Sequence, residues 1–136
     1  LVIYQYSLPI GDCKKILVLF GHMCRDNSGS PNFRLVKKLL DRGAVLEGTE
    51  DINLVMEQMQ IYQRVIKISC PGEQAKILAE ESVSSKEILR RRDEFIAKII
   101  CDTLFENGRG VLFIGRDHDV ISELEKLSEK FTVISL

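Results

Sequence analysis

Between Ser84 and Val120 the chain reads SSKEILRRRDEFIAKIICDTLFENGRGVLFIGRDHDV, and no other stretch limits the fold as much. Ser84 and Glu87 have the spacing of a capping box, in which each side chain satisfies an orphan backbone N–H at a helix start. Apolar residues then recur at Ile88/Leu89, Phe95/Ile96, Ile99/Ile100 and Leu104, a stripe of helical period. Asn107 and Gly108 end it, because glycine tolerates the left-handed backbone that closes a helix. Val111 to Ile114 is a short continuous apolar run, the pattern of a strand covered on both faces. Gly115, the polar run Arg116-Asp117-His118-Asp119 and a new helical pattern follow. A helix feeding a buried strand that feeds another helix requires a sheet with helices laid on it.

The rest of the chain fits that frame. Strands are predicted at 1–6, 16–20 (ILVLF, read as central), 44–46, 65–69 (VIKIS), 111–114 and 131–136. Helices are predicted at 32–42, 52–63, 74–81, from Ser84 to about Leu104, and 120–130. Residues 21–31, rich in glycine and serine and closed by Pro31, read as a long polar loop. Strands alternating with helices predict an α/β domain: a three-layer Rossmann-like sandwich with a mostly parallel sheet and helices on both faces. With 136 residues the whole chain, 1–136, is expected to form one domain.

Charge narrows the partners. The formal net charge is −1 with both signs interspersed, and no basic run carries interleaved aromatics, which argues against nucleic acid. No apolar run approaches membrane-spanning length. Leu1-Val2-Ile3-Tyr4 lacks the basic region of a signal peptide, and a chain opening on leucine is expected to have lost an initiator methionine or a longer N-terminus. Cys13, Cys24, Cys70 and Cys101 show no C-x-x-C spacing, so buried reduced thiols in a cytoplasmic protein are expected.

The chemistry-bearing residues collect at predicted strand ends. Both histidines follow an apolar run and a glycine: His22 directly after ILVLF-Gly21, and His118 three residues past Gly115. A third strand end carries Glu47, Glu50 and Asp51. In a parallel sheet these ends share one edge, where open α/β folds build their sites. Arg92 and Asp93 lie beside the core-facing stripe of the central helix, where charge is costly unless paired, and read as a rim ion pair or a supporting layer behind the site. Imidazoles with carboxylates suit a divalent transition metal, with His22, Glu47 and His118 as ligands and bound water as nucleophile. Without metal, His118 or His22 would act as general acid–base with Glu47 as orienter. A rival picture makes Cys24 a nucleophile beside His22.

These residues carry a resemblance. Gly115-Arg116-Asp117-His118 is a G-x-x-H after a strand, preceded by a helix bearing Arg91-Arg92-Asp93; upstream lie Gly21-His22 and a strand end at Glu47. In this order the chain resembles the TraB/PrgY, erythromycin-esterase and Tiki superfamily over roughly residues 16–136. The first motif departs from the pattern, with Gly21-His22-Met23-Cys24 in place of G-x-x-H. The resemblance implies His22, Glu47, Arg92 and His118 as site residues, with Glu50 as a second candidate for the acidic position. It implies a metal-dependent peptidase, an ester-bond hydrolase or a haem-iron-binding protein. A thinner likeness covers residues 16–42, which look like the start of a sirohydrochlorin-type chelatase.

Two further classes of function stay open at this level. One is a non-catalytic domain that binds a small molecule, peptide, haem or metal in the same crevice. The other is an interaction domain that forms a homodimer through an edge strand such as 1–6 or 131–136.

Overall fold

The computed structural model describes residues 1–128 and 130–135. Three strands, β1 (Val2–Pro9), β2 (Val45–Glu50) and β3 (Gly110–Phe113), form a parallel sheet in the order β2-β1-β3. Five helices accompany it: α1 (Cys13–Asp26), α2 (Pro31–Leu40), α3 (Ile52–Ile66), α4 (Pro71–Thr103) and α5 (Val120–Leu127). The mixed α/β class follows the sequence; several elements do not.

The run ILVLF is helix rather than strand. A five-residue apolar run is ambiguous by periodicity alone. Local chemistry decides it, because the Asp12 carboxylate accepts the backbone N–H groups of Lys14 and Lys15 at 2.9 and 3.4 Å and opens α1. Ile16 and Phe20, four residues apart, are then buried on one face, while Leu17, Val18 and Leu19 stay exposed. The helix carries on through Gly21 and His22, so most of the predicted loop at 21–31 is absent. VIKIS is also not a strand: Val65 and Ile66 complete α3, and the backbone turns at Lys67 and Ile68. Across that turn α3 and α4 run antiparallel, bridged by Arg64–Glu81 at 3.0 Å and Arg91–Glu57 at 3.2 Å.

The predicted helix at 74–81 and the central helix are one element of 33 residues. Ser84 and Glu87 lie in its middle, where Glu87 bonds Arg90 instead of a helix start; the true start uses Pro71 at the first position. The helix stops sooner than Asn107-Gly108, at Thr103 with Leu104 as an extended C-cap, and Asn107, at a positive φ of 60°, shapes the turn that follows. Residues 131–135 form no strand, and Leu136, the end of that prediction, lies outside the described residues, as does Glu129 of the predicted helix 120–130. The segment read as an edge strand for dimerisation, 1–6, belongs to the central strand, flanked by β2 and β3.

Alternation along β1 divides the core. Val2 and Tyr4 pack with Ile96, Ala97 and Ile100 of α4 and Val120 and Leu124 of α5. Ile3 packs with Ile16 and Phe20 of α1, Val36 of α2 and Leu46 of β2. Leu8 breaks the alternation by joining the Ile3 cluster. The cause is a register shift between Gln5 and Pro9, where Ser7 adopts a positive φ of 66°. The same irregularity brings the Pro9 carbonyl against Gly48, where an added Cβ would lie 2.1 Å from Pro9 O. No helix among the described residues is long and apolar enough to cross a membrane.

Two glycine substitutions test this packing in opposite directions. Gly48→Ala drives a methyl into backbone and is expected to destabilise the fold by about 3 kcal/mol. Gly21→Ala meets nothing within 4 Å on α1, and is expected to stabilise by roughly 0.5–1 kcal/mol through helix propensity. Urea denaturation of both variants reads the two signs.

Candidate functional site

The site begins with two adjacent residues of α4. Consecutive helical side chains diverge by about 100°, so Arg92 and Asp93 face different neighbours, and they do not pair with each other. Arg92 turns toward the carboxyl end of β2. Its Nε donates to Glu50 Oε2 at 3.1 Å, its Nη2 to Glu50 Oε1 at 2.7 Å, and its Nη1 to Gln58 of α3. Both ends of the Arg92–Glu50 pair are buried, with side chains 5 % and 2 % exposed. Burial works against the Arg92 charge, but the bidentate carboxylate and the neighbouring Tyr6 outweigh it and hold its pKa above the ordinary value.

Asp93 turns toward the loop between β3 and α5. Its Oδ1 bonds His118 Nδ1, and its Oδ2 accepts the Asp119 backbone N–H at 2.8 Å. The His118 and Asp93 side chains are 4 % and 6 % exposed. The loop is set by a turn from Gly115 to His118, with the His118 N–H donating to Gly115 O at 3.3 Å, and by Asp119, which caps α5. A carboxylate on Nδ1 makes that nitrogen the donor and leaves the lone pair on Nε2. Among the described residues His118 Nε2 has no hydrogen-bond partner.

Tyr6, at the carboxyl end of β1, joins the two pairs. The Arg92 guanidinium carbon lies 5.1 Å from its ring centroid, and His118 meets the ring edge-on at 4.8 Å and 69°. The result is a continuous chain from Glu50 through Arg92, Tyr6 and His118 to Asp93. Of this chain, Arg92, Tyr6 and His118 line a cleft of about 240 Å³ together with Gln58, Tyr62, Ser85, Leu89 and Asp117. The cleft opens at the carboxyl edge where β1 adjoins β3. The connection leaving β1 leads to β2 on one side, and the chain returns to β3 on the other, so this is the switch point of the sheet.

Of the sequence candidates, the fold therefore unites Glu50, Arg92 and His118. It does not bring His22 or Glu47 to them. His22 is exposed on α1, which packs on the other face of the sheet, and its Nδ1 accepts from Arg25 Nη2 at 2.6 Å. Glu47 stands in mid-strand opposite Tyr4, where it helps burial raise the Tyr4 phenol pKa against the Thr103 hydrogen bond. His22, Glu47 and His118 thus supply no shared ion: among the described residues, no three His, Cys, Asp or Glu side chains group closely enough to hold a metal. Cys24 is not activated by His22; burial pushes its thiol pKa up, the wrong direction for a nucleophile.

Sequence reasoning missed Tyr6 and Gln58 as parts of the site, and read Asp93 with Arg92 as a rim ion pair or a supporting layer behind the site without naming His118 as its partner. Gln58 is a polar residue in a mostly amphipathic helix, and nothing local marks it. Tyr6 did carry a signal, being a large amphipathic side chain at the end of a buried strand.

Comparison with known proteins adds no assignment: no family model, curated protein or solved structure matches the chain.

Two predictions follow from these environments. Arg92→Ala or Glu50→Ala leaves an unpaired charge in the interior and is expected to cost about 3–5 kcal/mol in chemical denaturation. The Glu50→Gln/Arg92→Met double variant is expected to cost less than the sum of its single variants, since the two side chains act as one unit. The cysteines should also separate by reactivity. Backbone N–H groups of Glu73 and Gly72 at the start of α4 lower the pKa of the exposed Cys70, whereas burial raises those of Cys24 and Cys101. Near neutral pH Cys70 holds a larger thiolate fraction than Cys24 or Cys101, so iodoacetamide is expected to label it before those two, as read by peptide mass mapping.

Proposed function

We propose that this chain is a small α/β hydrolase that cleaves an ester or amide bond in a small-molecule or peptide substrate, with His118 as general base and Asp93 as its positioning residue. The observation that carries this reading is the buried Asp93–His118 pair at the switch point. It holds one imidazole tautomer with a lone pair available to the cleft, as a carboxylate behind histidine does in hydrolytic triads. The resemblance of the Arg92–Asp93 and Gly115–His118 segments to the TraB and erythromycin-esterase superfamily points to the same reaction class. The β2-β1-β3 order supports reading the fold as a minimal three-layer Rossmann-like sandwich. The free thiols of Cys24, Cys70 and Cys101 support a reducing, cytoplasmic setting.

In this mechanism His118 Nε2 takes a proton from water as the water oxygen attacks the substrate carbonyl carbon. The developing oxyanion is met by donors of the cleft wall. Tyr62 accepts from Gln58 Nε2 at 3.2 Å and so keeps its own O–H to give, and Arg92 retains N–H groups beyond its three bonds to Glu50 and Gln58. Collapse of the tetrahedral intermediate expels the alcohol or amine, which takes the proton back from His118. No metal is assigned a role, because the donor set near His118 does not assemble three ligands.

Asp93 also ties Asp119 to α4, so loss of activity alone would not separate chemistry from structure. His118→Ala and His22→Ala are to be compared with the native chain on a panel of small nitrophenyl esters and short peptides, with thermal melts in parallel. The expected result is a loss of about 10²–10⁴-fold in kcat/KM for His118→Ala, with His22→Ala unchanged. Hydrolysis at the buffer rate by the native protein, or equal turnover by His118→Ala, would reject the reading.

A further inference from the structure

A surface helix ordinarily turns its charges to water. α1 and α2 do so, with Lys14, Lys15 and Arg25 exposed on one and Arg34, Lys37 and Lys38 on the other. α3 does the reverse. Its charged side chains are Glu57 and Arg64, and both lean onto α4, to Arg91 at 3.2 Å and Glu81 at 3.0 Å. Leu54, Gln58 and Ile61 form its buried face. Successive residues turn by about 100°, so Ile52, Met56, Met59, Gln63 and Ile66 share the opposite face. The four apolar members are 53 %, 54 %, 52 % and 75 % exposed. A helix apolar on both sides is one that is meant to be covered on both.

The steps along this outer face are four, three, four and three residues, the heptad spacing with which one helix packs on another. The flanking positions narrow the choice of partner. They are Asn53 and Gln60 on one rim and Val55 and Tyr62 on the other, all uncharged. Helical seams choose a different protein largely through rim charges, and none is present here to do so. A lipid surface is favoured by lysine and arginine along the rim, which are also absent. An identical copy meets no like-charge repulsion on this face. Gln63 is the one polar residue of the stripe, and an amide both donates and accepts, so it can pair with its own copy. The exposed parts of the stripe and of Tyr62 amount to roughly 600 Å² per copy, so pairing withdraws roughly 1,200 Å² in all, the lower bound of a specific interface.

We propose that two copies of this chain pair through the outer face of α3, with Ile52, Met56, Met59 and Ile66 as the apolar seam. The sequence pointed to edge strands for such a contact; α3 is a different surface. Tyr62 stands on the rim of the seam and also in the wall of the His118 cleft, so the partner copy borders that cleft. The pairing does not depend on the hydrolytic reading and is tested without it.

Sedimentation velocity of the full chain, from about 1 µM to about 500 µM, is expected to show a reversible monomer–dimer equilibrium with a dissociation constant in the micromolar range. Met56→Glu/Met59→Glu puts four carboxylates into one seam and is expected to weaken pairing at least about 100-fold. Both side chains are exposed in the single chain, so the circular dichroism and the melting temperature at low concentration are expected to match the native protein. Ile52→Ser/Ile66→Ser removes apolar area without adding charge and is expected to weaken pairing about tenfold or more. Leu17→Glu, at an exposed apolar position of α1, is expected to pair like the native chain. If the glutamate variant does not fold, the serine variant decides. A native chain that stays monomeric through the whole range leaves the seam to another protein or to none, and overturns the proposal. So does a dimer that survives both seam variants, or one that Leu17→Glu weakens equally.

Discussion

Arg92 and Asp93 are adjacent charges carried by α4 into the interior, and the rest of the molecule is arranged to make that tolerable. An ion taken out of water is stable only when a partner and further hydrogen bonds replace its hydration. Arg92 finds a bidentate carboxylate from the last residue of β2 and an amide oxygen from α3. Asp93 finds an imidazole and a backbone N–H from the loop after β3. One helix thereby fixes the carboxyl ends of the two outer strands, and Tyr6 of the central strand fills the space between them.

This arrangement explains why the site lies where it does. A three-stranded sheet is small, and α4 is long enough, at about 50 Å, to cross it and extend past α3. Only its second half is deeply buried, beginning at Ile88. The charges sit at the point where that burial starts and where the strand ends leave a gap. Structural roles and the proposed chemistry coincide there. The carboxylate that orients His118 also anchors α5, so the geometry of the imidazole is tied to the stability of the fold.

Much of the second half of the fold could be read directly. The helix stripe from Ile88, the strand predicted at 111–114 and found at Gly110–Phe113, and the polar loop with His118 depend on near-neighbour patterning, and all are present in the structure. The first half was misread where an apolar run was too short to reveal its period. ILVLF and VIKIS suit a strand or a helix equally, and the choice fell to the Asp12 cap and to antiparallel packing of α3 on α4. Misplacing ILVLF moved His22 to a strand end, which made it a site residue on paper and an exposed helical residue in the fold.

What the sequence by itself determined is the set of elements with strong local signals, together with the chemical types available at their ends: Glu50, Arg92, Asp93 and His118. These follow from periodicity, capping and the cost of placing charge on an apolar stripe, which are properties of a few consecutive residues. Only the tertiary structure decided the pairing. Arg92 bonds Glu50 across 42 positions and Asp93 bonds His118 across 25, and such separations leave no trace in local pattern. The strand order, the placing of Glu50 rather than Glu47 beside Arg92 and the position of His22 on a helix at the other face were likewise decided by packing, because burial of a shared core is a property of the whole chain rather than of any segment.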